Sequence, residues 1–169
     1  MKTKEDPLKV LIDSAGFYTG YGVNHEDRQF KGLFEMTPVV ENRGVHIKYR
    51  AVGLKEEGNE KEIGLFNRDM LLFNEEDTLI AHNNENKLCL WTLNSNVPTV
   101  CMFELRRFRR IPGEKSILIF GFGKRNDETI FREEITMEIW DAGNLAYNYY
   151  WGEPQGHFLS RSTIIMRKL

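Results

Sequence analysis

The most chemically suggestive residue is Glu133, which stands in a row of apolar side chains. At a period of two, Phe131, Glu133, Ile135, Met137 and Ile139 share one face of the stretch 130–140. Arg132, Glu134, Thr136 and Glu138 share the other. A carboxyl inside an apolar wall must find a partner or keep its proton. Glu133 therefore reads either as a polar anchor for an enclosed molecule or as a solvated residue at a rim. The following stretch places Leu145, Tyr147, Tyr149 and Trp151 on one face, opposite Ala146, Asn148 and Tyr150. Apolar bodies with a few hydroxyl tips are the usual make-up of a small-molecule pocket, and a row of aromatics is equally the make-up of a plain core. In an enclosed pocket, Tyr49, Tyr147, Tyr149 and Glu133 would orient a ligand, and Phe34 and Met137 would supply apolar wall.

Other chemistry is sparse. The sequence holds no G-x-S-x-G, no H-E-x-x-H and no phosphate loop. Its four histidines, His25, His46, His82 and His157, are scattered. His25-Glu26-Asp27 is a run of metal-type residues in a turn, without a convergent partner. Cys89 and Cys101 lie in apolar runs and read as buried free thiols. Leu105-Arg106-Arg107-Phe108-Arg109-Arg110 is the one basic cluster, and it leads into Ile111-Pro112-Gly113 as the end of a hairpin would. With a formal net charge of −2, no strong field draws nucleic acid or an anionic membrane.

The elements that must position these residues are mostly strands. One short helix is predicted at the start, with Asp6 as cap, Pro7 in the first turn, Leu8, Leu11 and Ile12 at helical spacing, and Ala15-Gly16 as its end. So short a helix needs an apolar surface to lie on, such as the open end of a barrel. From Phe17 onward the period is two. Phe30, Phe34 and Met36 share a face, as do Val45, Ile47, Tyr49 and Ala51 against His46, Lys48 and Arg50. Gly53–Glu62 reads as a loop. Further strands are predicted at 69–74, 77–82, 87–93, 97–109, 115–122, 129–140, 144–151 and 157–167, with turn residues such as Asn83–Asn86 and Asp141–Asn144 between them. About ten strands joined by hairpins predict an all-β fold: one antiparallel up-and-down barrel over residues 1–169, closed so that no edge is exposed. The 169 residues, 41% hydrophobic and 28% charged, suit one globular domain.

Three stretches carry a family resemblance. Pro7–Ile12 followed by Gly16-Phe17-Tyr18-Thr19-Gly20-Tyr21-Gly22 resembles the helix and G-x-W-x-G-x-G opening of the nitrobindin-like branch of the calycins, with Tyr18 in place of Trp. Calycins also include lipocalins and fatty-acid-binding proteins. Phe34–Val39 with Gly44 and Tyr49 is similar to the next two strands of that branch, and Met137–Tyr147 resembles its late hairpin. The resemblance implies a ten-stranded barrel. In the nitrobindin-like branch it also implies heme b on a histidine near the C-terminus, a place that His157 roughly fills, although twelve residues follow it. Lys61-Glu62-Ile63-Gly64 stands where the branch carries a second pocket histidine. An exposed turn histidine explains His157 equally. The resemblance further implies that Arg161 or Arg167 stacks on Tyr18 to close the barrel base.

Binding is the first functional expectation: a small hydrophobic or amphipathic ligand, such as a lipid-like acid, inside the barrel and without a cofactor. One alternative is a heme protein with His157 as the iron ligand. Another is isomerase or lyase chemistry with Glu133 and Tyr147 or Tyr149 as an acid–base pair. The expected setting is the cytoplasm, with no nucleic-acid or membrane partner, as a monomer or homodimer. That rests on the charged opening Met1–Asp6 and on the lack of any apolar run near 18–20 residues.

Overall fold

A computed structural model describes residues 5–54 and 72–169. The helix α1 spans Pro7–Asp13, and the Asp6 side chain accepts a hydrogen bond from the Leu8 amide at 3.0 Å. Ten strands follow: β1 Gly16–Asn24, β2 Gln29–Val39, β3 Gly44–Gly53, β4 Leu72–His82, β5 Leu88–Asn94, β6 Val97–Ile111, β7 Lys115–Phe122, β8 Arg132–Trp140, β9 Asn144–Gly152 and β10 Leu159–Lys168. Each pairs antiparallel with its sequence neighbour, and β1 pairs with β10, so the sheet closes into a barrel. Among the described residues no helix is long and apolar enough to cross a membrane.

The segment expected as two strands, 69–74 and 77–82, is one strand from Leu72 onward. The polar run Asn74-Glu75-Glu76-Asp77 suggested a break, yet it pairs on both sides, with Ala51–Lys48 of β3 and, for Glu76 and Asp77, with Asn94 and Leu93 of β5. Residues 69–71, the loop expected at Gly53–Glu62 beyond Leu54, and Lys61–Gly64 lie outside the described residues.

Closure depends on glycine at the β1–β10 seam. A Cβ on Gly20 would lie 2.0 Å from the Ile165 carbonyl oxygen and 2.8 Å from the Met166 Cα. Across the β1–β2 ladder Gly20 faces Gly32, where a Cβ would lie 2.2 Å from the Ile164 Cδ1. Leaving these inward positions empty draws the seam close and lets Ile164 and Tyr49 fill the space. The α1 end and the middle of the barrel are packed. Leu8 and Leu11 of α1, which rests against β3, join a buried cluster with Tyr18, Phe34, Met36, Ile47, Ile80, Leu90, Phe120, Met137, Leu145 and Met166. The Tyr18 hydroxyl donates to the Ser14 carbonyl, tying β1 to the end of α1. The cation over the Tyr18 ring is Lys168, at 5.9 Å from the centroid, rather than Arg161 or Arg167. Arg167 is exposed, and Arg161 lies over Trp151 at the other end of the barrel.

Candidate functional site

At the end opposite α1 the barrel is hollow. A cavity of about 480 Å³ opens beside the β1–β2 turn. Phe30, Tyr49, Phe73, Phe131, Tyr149 and Trp151 supply its aromatic surface, and Asn74, Asn94, Glu133 and Ser162 its inner polar groups. Period-two alternation puts most of them there, on strands that continue into the packed core; Phe73 lies at the β3–β4 bulge, and Phe131 just precedes β8. Room remains because Ala51, Asn74, Asn94 and Ser162 are small beside the rings lower down, while the radius of a ten-stranded barrel is set by its strand number and stagger.

Beneath the cavity lies a ladder of rings. Tyr149 meets Tyr147 edge to face at 5.5 Å between centroids, Tyr147 meets Tyr49 at 5.2 Å and Phe34 at 5.3 Å, and Phe34 meets Tyr18 at 6.1 Å. Of the residues expected to form a ligand site, Tyr49, Glu133 and Tyr149 line the cavity. Phe34, Met137 and Tyr147 lie below its floor in the buried core.

Glu133 is 7% exposed, so it is a wall residue and not a solvated rim residue. No hydrogen bond or ion pair to it occurs among the described residues. Burial, and secondarily the negative charge of Glu76, push its pKa up to about 7. Glu76 itself went unnoticed in the sequence. It is 2% exposed and accepts hydrogen bonds from the Tyr147 hydroxyl, at 2.9 Å, and from the Asn74 amide. Burial raises its pKa to about 7, opposed by the hydroxyls of Tyr147 and Tyr149 and by Asn74. Burial, followed by the charge of Glu76, raises Tyr49, Tyr147 and Tyr149 well above the ordinary phenol value, so all three stay protonated. The Tyr149 hydroxyl is buried close to Glu76 and Tyr147 but meets neither in good hydrogen-bond geometry. The acid–tyrosine pair that forms is thus Glu76 with Tyr147, beneath the floor, and not the Glu133 pair expected from alternation.

Only a full register reveals Glu76. Its inward neighbours on β4 are Asn74, Thr78 and Ile80, three of the four polar, so the strand's inner face resembles an outer one. Arg132 was also misread, having been assigned to the solvent face. It is 1% exposed and donates to four backbone carbonyls: Arg125 at 2.8 Å, Ile130 at 3.3 Å, Glu153 at 2.9 Å and Gly156 at 2.7 Å. Its guanidinium joins the β7–β8 connection to the β9–β10 connection beside the cavity mouth.

The histidine at the mouth is His25, whose ring lies 6.1 Å from that of Trp151. His157 is exposed on the β9–β10 connection and is not among the residues lining the cavity, so the residues around it do not fit a heme held there. Among the described residues no group of three or more His, Cys, Asp or Glu is placed to hold a metal ion. Cys89 and Cys101 are free thiols. The basic run lies in β6, where Arg110 pairs in two-pronged fashion with Asp141 at 2.6 and 2.9 Å.

Fold and site together define a closed ten-stranded antiparallel β-barrel, plugged at one end by a helix and hollow at the other. No family model matches the chain, and no curated protein matches it by sequence. Among solved structures, the crystal structure of Rv2717c from M. tuberculosis is similar, with a TM-score of 0.64 at 11% identity, covering 98% of this chain and 99% of that one. At that identity the likeness is one of fold.

Proposed function

We propose that this chain is a calycin-type binding protein that takes a small apolar or amphipathic molecule into the open end of its barrel. One observation carries the reading: a cavity of about 480 Å³, walled by six aromatic rings and a few inward polar groups, above a buried apolar cluster. Burial of the ligand's apolar surface would contribute about 25 cal/mol per Å², less the cost of association. Catalysis has weaker support, because Glu133 has no tyrosine partner and the Glu76–Tyr147 pair lies under the floor.

The test is titration with N-phenyl-1-naphthylamine, an uncharged fluorophore, with native mass spectrometry of the purified chain to detect retained ligand. Saturable uptake is expected in the wild type. Ala51→Trp, which places an indole in the hollow, is expected to abolish it. Uptake that does not saturate, or that Ala51→Trp leaves unchanged, would overturn the reading. A lipid-like acid would bring a second negative charge to the wall that holds Glu133.

A further inference from the structure

We propose that the ligand's polar head is a cation, an organic ammonium group held by the Glu133 carboxylate inside the aromatic wall of the cavity. The inference rests on the binding function proposed above and names the chemical class of ligand.

The first support is charge without a partner. Glu133 is nine-tenths buried in the cavity wall, and no described residue bonds to it or pairs with it. A carboxylate in such a place is strongly disfavoured unless a cation or several donors reach it. Two cations also line the mouth, and neither pairs with Glu133; among the described residues the Arg161 Nε is buried without a hydrogen-bond partner. Arg28 pairs with Glu26 at 3.3 Å, and the Arg161 guanidinium lies over the Trp151 ring at 4.9 Å. With Arg28 and Glu26 cancelling, Glu153 adds negative charge to the lining of the mouth, and Glu76 lies behind the floor.

The second support is the wall itself. Tyr49, Phe131, Tyr149 and Trp151 present ring surface to the same hollow, and aromatic faces attract ammonium groups most strongly where water is excluded. The third is the Tyr149 hydroxyl, buried at the cavity floor without a well-formed hydrogen bond. Its oxygen can accept a hydrogen bond from an ammonium N–H. Besides Glu133, the inner polar groups of the cavity are Asn74, Asn94 and Ser162, all uncharged, and the cations Arg28 and Arg161 lie in its lining.

The experiment compares three probes with one aromatic body: 1-naphthylmethylamine, 1-naphthylmethanol and 1-naphthoate. Binding is measured by calorimetry at pH 8. There the Glu133 carboxyl, with a pKa of about 7, is ionised and the amine remains protonated. The amine is expected to bind about tenfold or more tightly than the alcohol, the worth of a hydrogen bond to a charged group, and the naphthoate weakest. Glu133→Gln, whose folding is checked by thermal unfolding, is expected to bring the amine down to the level of the alcohol. The order of the three probes is read on the wild type, so the proposal is tested even if Glu133→Gln does not fold. Naphthoate binding as tightly as the amine, or amine affinity unchanged in Glu133→Gln, would overturn the cationic head while the alcohol's binding keeps the cavity reading intact. If none of the three binds, both readings fall.

Discussion

Replacing Glu76 with glutamine tests the interior electrostatics directly. In the folded chain the Glu76 carboxyl holds its proton up to about pH 7, whereas the unfolded chain releases it near the ordinary value of 4.5. Between these limits the folded state binds the extra proton, so stability falls as pH rises. The contribution is complete below about pH 4.5 and is lost as pH passes through about 7. At about 1.4 kcal/mol per pH unit the difference is about 3 kcal/mol. Glutamine keeps the shape: its carbonyl can accept from Asn74 and its amide can donate to the Tyr147 oxygen, with no charge to bury. We therefore expect Glu76→Gln to match the wild type within about 1 kcal/mol at pH 5 and to exceed it by about 3 kcal/mol at pH 8. For a chain of this length that is a rise of about 6–12 °C in unfolding midpoint. Urea and thermal unfolding from pH 5 to 8 would measure it. Wild-type and variant stabilities that run parallel across that range would refute the reasoning. Glu133 adds to the slope in the same direction, since its pKa is also raised to about 7 and partly by Glu76. The double variant Glu76→Gln, Glu133→Gln should therefore have the flattest profile.

Three further outcomes follow from the packing. Arg132→Ala leaves four carbonyls without their charged donor and should lower stability by about 2–4 kcal/mol, and Arg132→Lys should recover little of it because one ammonium cannot span the fork; equilibrium unfolding decides. Gly20→Ala drives a methyl into the backbone of β10 and should cost about 3 kcal/mol or more, whereas Ala at Gly113, where φ is +73° and the space is open, should cost only about 1–2 kcal/mol. Val40 is 72% exposed and has φ of 49°, so Val40→Asn should stabilise the chain by about 1 kcal/mol, seen as a midpoint rise of about 2–4 °C.

The strand pattern was legible because most of the barrel alternates plainly. Val45-His46-Ile47-Lys48-Tyr49-Arg50-Ala51 shows its inner and outer faces without tertiary information, and the structure keeps them. The helix could be read from its cap, its proline and three apolar positions. β4 failed where alternation carries no contrast: Asn74 and Glu76 point inward and Glu75 and Asp77 outward, so four consecutive polar residues hide a continuous strand. Arg132 failed differently. Its outward direction was read correctly, but two connections fold back over it and bury it with their own carbonyls, and no local pattern encodes that. The Lys168–Tyr18 contact depends on the register of β1 against β10, where Tyr18 faces Lys168, and that register joins residues 150 positions apart.

The hollow was the least legible feature because no strand carries it. An internal space is the difference between a radius set by closure and the side-chain volume that all ten strands place at one level. Toward the helix that volume is sufficient: Phe34, Tyr147 and Met137 arrive together, and the gap at Gly32 is taken up by Ile164 and Tyr49 while the β10 backbone closes on Gly20. Two or three residues along each strand the sum falls short. There β3 contributes Ala51, β4 Asn74, β5 Asn94 and β10 Ser162, each unremarkable in its own strand and separated by up to 111 positions. The same arithmetic explains why Glu133 lacks a partner. It faces a level where the opposing side chains are too short to reach it, and a ligand with apolar bulk and a charged donor would supply both of the missing quantities.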